Sequence, residues 1–192
     1  MRRAAESSEE ENRRDAAALA AMLRAVAECP HPVVARVQGS AFGGGAGLVA
    51  AADIAIAAES AQFGFTEARL GLVPATVAPY VVEKIGPGWA LRLFLTGERF
   101  DAARALAIGL VHRIVPDAEL DAAIEEVVAA LLAGGSQAHR ACKELVRRVA
   151  GGREGVDDYT AALIARVRAS DEGREGIRAF LEKRKPGWLA EG

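Results

Sequence analysis

The sequence predicts an α/β fold in which a small core of strands and helices precedes a helical C-terminal region. Two predominantly apolar runs, residues 32–38 and 53–57, are typical of strands covered on both faces of a parallel sheet. The short apolar run at residues 46–52 between them is predicted to be a helix. Further along, apolar residues recur mainly at helical spacing and glycine pairs interrupt the pattern. We therefore expect a βα core over residues 1–115 and a helical region over residues 116–192.

The composition indicates one domain, or one domain with a helical appendage. The 192 residues are 51% hydrophobic but only 5% aromatic, so aliphatic side chains must form most of a sizeable core. The net charge of −2 gives no overall attraction to nucleic acid or to anionic membranes, and neither partner is expected. Cys29 and Cys142 lack CxxC spacing, which favours a reduced compartment. Because no apolar run approaches about 18 residues and the start is acidic, a cytoplasmic location is expected.

The remaining elements follow from caps and helix breakers. Residues 1–14 are polar and are expected to be frayed or part of a mobile entry loop, whereas residues 15–28 carry apolar side chains at helical spacing. Asp101 is a candidate N-cap for the helix after it. Sheet content is low for a free-standing α/β domain, which indicates strands missing at the N-terminus. Further helices are predicted at residues 79–85, 88–95, 119–133, 136–149, 155–168 and 171–184, and extended segments at residues 61–65 and 110–116.

The glycine triplet Gly43, Gly44 and Gly45 is the first candidate site. It lies where a strand turns into a helix, and the missing Cβ atoms would let a ligand oxygen approach backbone N–H groups at the helix N-terminus. Such a turn suits a phosphate or a developing oxyanion. A tight turn with close helix–sheet packing explains the triplet equally well. Residues 45–50 also match the dinucleotide fingerprint G-x-G-x-x-A, but the acidic residue expected at the end of the next strand is missing, so this alternative is disfavoured.

Glu67 is the second candidate. It follows a short predicted strand and has Phe63, Phe65 and Leu70 nearby in sequence, so it is a candidate for proton transfer. The alternative is a surface glutamate paired with Arg69 or Lys84, and spacing alone favours that alternative. The three histidines share no metal-ligand spacing, and no metal site is predicted.

Three segments carry a resemblance to a known family: GSAFGGGAGLVAAADIAIAAESAQFGFTEARLGLVPA, LTGERFDAARALAIGLVHRIVP and EGIRAFLEKRKPGW. Together, in order and with family-like spacing, they resemble the enoyl-CoA hydratase/isomerase (crotonase) superfamily over most of the chain from Pro32 to Trp188. Within it, AFGGGAGLVAA and GLVPATVAPYVV are most similar to the methylglutaconyl-CoA hydratase branch of leucine and isoprenoid catabolism.

The resemblance implies a spiral of ββα turns with a C-terminal trimerisation region, and hence a homotrimer or hexamer. The substrate would be an acyl-CoA thioester, with no cofactor besides the coenzyme A that it carries. Its enolate oxygen would be held by two backbone N–H groups, one of them from Gly44, while Glu67 moves a proton at the substrate carbons. The substrate-binding residues implied are Ala41, Phe42, Gly43 and Gly47 around the turn, and Phe180 and Lys183, which would cover the CoA adenine of a neighbouring subunit.

Two departures from the family pattern qualify this expectation. Hydratases of the family carry a second glutamate where this chain has Gly47, which shifts weight toward isomerisation, or toward hydration with another group, such as a substrate carboxylate, orienting the water. The family's A-G-x-D-L segment, which supplies the other oxyanion N–H, would precede Met1. We therefore expect an N-terminally truncated fold and little or no hydratase activity from these 192 residues alone. The functional prediction is a methylglutaconyl-type hydratase; the alternatives are an enoyl-CoA isomerase and a non-catalytic oligomerising acyl-CoA binder.

Overall fold

The computed structural model describes residues 7–189, which form two compact units. The core unit runs to Cys29 and continues over Val33–Ile124, and the helical unit contains Pro30–Pro32 and the chain from Glu125 onward. The predicted domain boundary after residue 115 stays a prediction. No helix in the described part of the chain is long and apolar enough to cross a membrane.

The core unit begins with helix α1, Glu9–Ala27. Its start is fixed by a capping box: Ser8 Oγ accepts a hydrogen bond from the Glu11 N–H at 3.3 Å, and the Glu11 carboxylate accepts one from the Ser8 N–H at 2.8 Å. Three glutamates in the first turn also oppose the positive end of the helix dipole. The expectation of a frayed or mobile stretch is therefore wrong for residues 9–14. Residues 1–6 lie outside the described part of the chain.

The strands of the described chain form two three-stranded sheets. They are β1 Val34–Val37, β2 Ser40–Phe42, β3 Ile54–Ala58, β4 Gln62–Gly64, β5 Arg99–Asp101 and β6 Arg113–Val115. The first sheet has the order β1-β3-β6 and is wholly parallel, as the apolar runs predict. In the second sheet β4 pairs parallel to β2 and antiparallel to β5. This second sheet positions the glycine turn, because the turn follows β2 directly.

Helices cover and connect the sheets. In the core unit these are α2 Gly44–Ala51, α3 Ala78–Thr96 and α4 Ala102–Ala107, and α5 Leu120–Leu132 leads into the helical unit. α3 contains the break predicted at Gly86, where φ is 75° and ψ is 160°. Asp101 caps α4 as predicted, since its carboxylate accepts the Arg104 N–H at 2.8 Å.

The helical unit also contains α6 Ser136–Ala150, α7 Val156–Ala169 and α8 Asp171–Leu181. The Glu172 carboxylate accepts hydrogen bonds from the N–H groups of Gln137 at 3.0 Å and Ala138 at 2.8 Å. A carboxylate of α8 thus caps the N-terminus of α6, where the helix dipole favours negative charge.

A cluster of phenylalanines lies beneath the second sheet. Phe63 and Phe65 are fully buried, and the Phe100 ring stacks on Phe63 with centroids 5.7 Å apart. The Phe94 ring meets Phe65 edge-on at 5.2 Å. Such aromatic pairs add to the free energy of burial and fix ring orientation. The cluster therefore anchors the chain just before Glu67.

Candidate active site

A single residue makes the turn from β2 into α2. Gly43 has φ 52° and ψ −115°, a conformation that residues with a Cβ rarely adopt. Its N–H donates to the Gly64 carbonyl at 3.0 Å and its carbonyl accepts the Gly47 N–H, also at 3.0 Å. Because that second bond is the first of the helix, the N–H groups of Gly44 and the two residues after it have no intrahelical acceptor. The turn thus presents free donors at a positive helix end, as the oxyanion hypothesis requires.

Glu67 lies against this turn. It opens a short 3₁₀ helix, Glu67–Leu70, two residues after buried Phe65. A Cβ built on Gly43 would lie only 2.9 Å from Glu67 Oε1. The other carboxylate oxygen, Oε2, is buried and has no hydrogen-bond partner among the residues that the structure describes. A buried carboxylate oxygen without a partner is costly in a folded protein and is typical of a functional group that awaits a ligand or water.

The two cations proposed as ion-pair partners of Glu67 bond elsewhere. The Arg69 guanidinium donates to the Thr96 carbonyl at 3.4 Å, and the Lys84 ammonium donates to the Ala52 carbonyl at 2.7 Å. The structure therefore favours the interpretation of Glu67 as part of a site over that of a paired surface glutamate.

Ala41 and Phe42 flank the turn on opposite faces of β2. Ala41 is buried opposite Phe63 in the core. Phe42 is half-buried; a Cβ on Gly64 would lie 3.2 Å from its ring, and the Arg99 guanidinium carbon lies 4.9 Å from its ring centre. Of these two residues, Phe42 is the one with surface beside the turn.

Gly47 lies within the packed interface between α2 and the start of α3. A Cβ at this position would lie 2.3 Å from Val77 Cγ1 and 3.7 Å from Leu23 Cδ2. Val77 is itself only 2% exposed, so it cannot simply rotate into solvent. A side chain of any size at position 47, a glutamate included, would overlap Val77 in this arrangement.

Phe180 and Lys183 belong to the helical unit. Phe180, near the end of α8, is 82% exposed. Lys183 follows the helix with a φ of 54°, and its N–H donates to the Phe180 carbonyl at 3.2 Å. An exposed phenyl ring and an exposed ammonium are therefore presented together at this helix end, and their role toward CoA stays a prediction.

The structure also gives Lys84 and His112 hydrogen-bond partners that the sequence did not predict. Lys84 is half-buried, and burial lowers its pKa, an effect that the nearby charge of Asp53 opposes. His112 Nδ1 accepts a hydrogen bond from the Ala55 backbone N–H at 3.0 Å, and the His112 backbone N–H donates to the Ala55 carbonyl at 2.8 Å. Burial, reinforced by the positive charge of Lys84, lowers the pKa of His112. Among the described residues no group of three or more histidines, cysteines or carboxylates converges as a metal site.

The state of His112 makes stability depend on pH. Its pKa in the folded protein lies below the ordinary value of 6.5, so the unfolded chain binds the proton more readily. The free energy of unfolding should therefore fall as the pH drops below about 6.5 and stop responding to this group once the pH is below its folded pKa. Denaturant unfolding at a series of pH values measures this. His112→Asn, which keeps an acceptor near the Nδ1 position, should flatten the slope below about pH 6.5; an unchanged slope would assign the effect to other groups.

Comparison with known proteins assigns the family. The model of the enoyl-CoA hydratase/isomerase family matches residues 2–191. A Thermus thermophilus protein assigned as an enoyl-CoA hydratase is 36% identical over 189 residues, which span 97% of this chain and 74% of that protein. The carnitinyl-CoA dehydratase of Salmonella typhi is 34% identical over 172 residues, which span 86% of this chain and 66% of that enzyme.

Solved structures show the same relationship. A Legionella pneumophila crystal structure assigned to enoyl-CoA hydratase/isomerase (crotonase) superimposes with a TM-score of 0.93 at 45% identity, covering 98% of this chain and 73% of that one. This likeness confirms the predicted crotonase fold and the recognition of the superfamily, and the chain belongs to the enoyl-CoA hydratase/isomerase family.

Proposed function

We propose that the protein carrying this chain hydrates an enoyl-CoA thioester through an enolate held at the glycine turn. The observation that carries the proposal is the placement of Glu67: one carboxylate oxygen lies against Gly43, and the other is buried with no hydrogen-bond partner in the described part of the chain. A carboxylate that could transfer a proton and the Gly44 N–H, which has no intrahelical acceptor, thus belong to the same turn.

The chemistry follows from these two groups. The Gly44 N–H donates to the thioester oxygen, which gains negative charge as water adds to C3 and the electrons of the C2=C3 bond pass into the enolate. Glu67 takes the proton that the attacking water loses and returns a proton to C2, so that water is added across the double bond with no net change at the protein. The oxyanion needs a second hydrogen-bond donor, and we assign no residue of the described chain to that role.

The finer features of the proposal rest on the resemblance. We propose a substrate of the methylglutaconyl type from leucine or fatty-acid catabolism, no cofactor beyond coenzyme A, and a homotrimer or hexamer. In that assembly Phe180 and Lys183 of one copy would cover the adenine held by the next. The names of the Thermus and Salmonella relatives refer to hydration and dehydration, which supports hydration over isomerisation. A cytoplasmic location stays a prediction.

One observation favours a second candidate, an enoyl-CoA isomerase. Val77 fills the space beside Gly47, so only the carboxylate of Glu67 is available at the turn from these positions. A single carboxylate can remove a proton from one substrate carbon and return it to another, whereas hydration also needs an oriented water molecule. In a methylglutaconyl-type substrate the distal carboxylate could orient that water.

Turnover in ¹⁸O-labelled water distinguishes these functions. The protein encoded by the longest open reading frame that contains these residues would be incubated with 3-methylglutaconyl-CoA, with crotonyl-CoA and with a 3-enoyl-CoA. The masses of the reaction products would then be measured by mass spectrometry. We expect a hydroxyacyl-CoA that has gained one labelled oxygen. Migration of the double bond without gain of oxygen would favour the isomerase, and binding without conversion would favour a non-catalytic acyl-CoA binder.

A further inference from the structure

Helix α2 depends on other elements to hold its position. Its eight residues, GGAGLVAA, contain no polar side chain, and neither a basic side chain in its last turn nor a capping side chain at Gly43 stabilises its ends. A helix this short is not stable by its own propensity in water. Whatever fixes α2 in the fold therefore also fixes the N–H groups at its first turn.

Val77, the N-cap of α3, and Lys84, within α3, both approach α2 from the same side. Val77 packs against Gly47 in the middle of α2, and Lys84, seven residues later, reaches the C-terminal end of α2. Residues seven apart lie on the same face of a helix, so both contacts come from one face of this segment. Val77 limits how closely the elements approach, and Lys84 bonds the C-cap residue of α2.

The Lys84 ammonium bonds backbone carbonyls just beyond the C-terminal end of α2. It donates to the carbonyl of Ala52, the C-cap residue, at 2.7 Å and to the Asp53 carbonyl at 3.4 Å. A cation at this position also opposes the negative end of the helix dipole. At the opposite end, about 12 Å away for eight residues, the same helix presents the Gly44 N–H.

We propose that Lys84 is a positioning residue for the Gly44 donor: by holding the C-terminal end of α2, it keeps the glycine turn in register with Glu67. The inference rests on the function proposed above. Lys84 contacts neither the turn nor Glu67 in the described structure, so its effect passes through the rigid helix. A displaced helix would misalign the donor with the oxyanion, and a misplacement of about 1 Å can cost up to about a hundredfold in rate.

Lys84→Met tests this, with Lys84→Arg as the rescue and Arg92→Met as the control. Arg92 lies on the same helix, where it pairs with Glu98 and stacks on Trp89. We expect Lys84→Met to lower kcat roughly tenfold with KM within about twofold, Lys84→Arg to restore most of kcat, and Arg92→Met to change neither. Amide hydrogen exchange at residues 47–51 should be at least about tenfold faster in Lys84→Met.

The exchange measurement keeps this proposal separate from the proposed function. If the unmodified protein shows no turnover, the proposed function fails, and unchanged exchange in α2 of Lys84→Met would then also overturn the role of Lys84. If turnover is present, an unchanged kcat in Lys84→Met overturns the role of Lys84. A loss of kcat no larger than the loss of folded protein overturns it as well. Should Lys84→Met fail to fold, Lys84→Gln, which keeps a donor without the charge, is measured in the same way and is expected to lie between Met and Arg.

Discussion

Replacing Glu67 with glutamine is expected to lower kcat by roughly 10²- to 10⁴-fold, the usual contribution of a positioned general acid or base. Glutamine has nearly the same shape, so the close approach to Gly43 and the packing of the 3₁₀ helix should be preserved. It cannot take up or release a proton, however, so the step that Glu67 performs is lost. Affinity for an unreactive saturated acyl-CoA, measured by calorimetry, should stay within about threefold because the Gly44 donor is untouched.

Glu59→Gln is the matched control. Glu59 is an exposed glutamate after β3, and removing its charge should leave kcat unchanged. Steady-state kinetics on the longest in-frame product measure both variants. A Glu67→Gln variant that keeps kcat within threefold of the parent would remove Glu67 from the mechanism and leave the acyl-CoA binder as the better interpretation. A variant that loses binding together with turnover would instead assign Glu67 to substrate recognition.

Sequence patterns predict the longer elements of this fold because apolar periodicity reflects burial. The runs that become β1 and β3 are mostly apolar, and the Asp101 cap precedes its helix directly. In contrast, β2 and β5 have only three residues each, and their pairing with β4 depends on contacts distant in sequence, so no local pattern marks them. The early start of α1 has a visible signal in hindsight, the capping box of Ser8 and Glu11.

The candidate site is less predictable than the fold. The glycine triplet alone indicates a turn, and Glu67 lies more than twenty residues further along the chain. The parallel register of β2 and β4 brings the two together, and such register is set by the fold as a whole. Spacing therefore favoured an ion pair for Glu67, and only the family resemblance indicated its proximity to the turn. The bond from Lys84 to a backbone carbonyl has no sequence signature, since an acceptor of this kind is present at every residue.

Gly47→Ala is expected to destabilise the protein even though it replaces glycine by a better helix former. The backbone at Gly47 is helical, so alanine should gain about 1 kcal/mol from helix propensity. Against this, its Cβ would lie 2.3 Å from Val77 Cγ1 in a buried interface, and overpacking of this kind usually costs about 1–3 kcal/mol. A contact this short lies at the severe end of that range, so the net free energy of unfolding should fall by about 1–2 kcal/mol.

Three further variants, Gly44→Ala, Val77→Ala and the double variant Gly47→Ala/Val77→Ala, test whether Val77 is the cause. Gly44→Ala places a Cβ with nothing within 4 Å at the first turn of the same helix, and it should leave unfolding by denaturant unchanged or slightly improved. In the double variant Gly47→Ala/Val77→Ala the new methyl group occupies space that the valine vacated. The double variant should then lose at least about 1 kcal/mol less free energy of unfolding than Gly47→Ala and Val77→Ala lose together as single variants. Neighbours that share space are not independent. Strict additivity would show instead that α2 moves to accept a side chain, and that Val77 does not keep a second carboxylate from position 47.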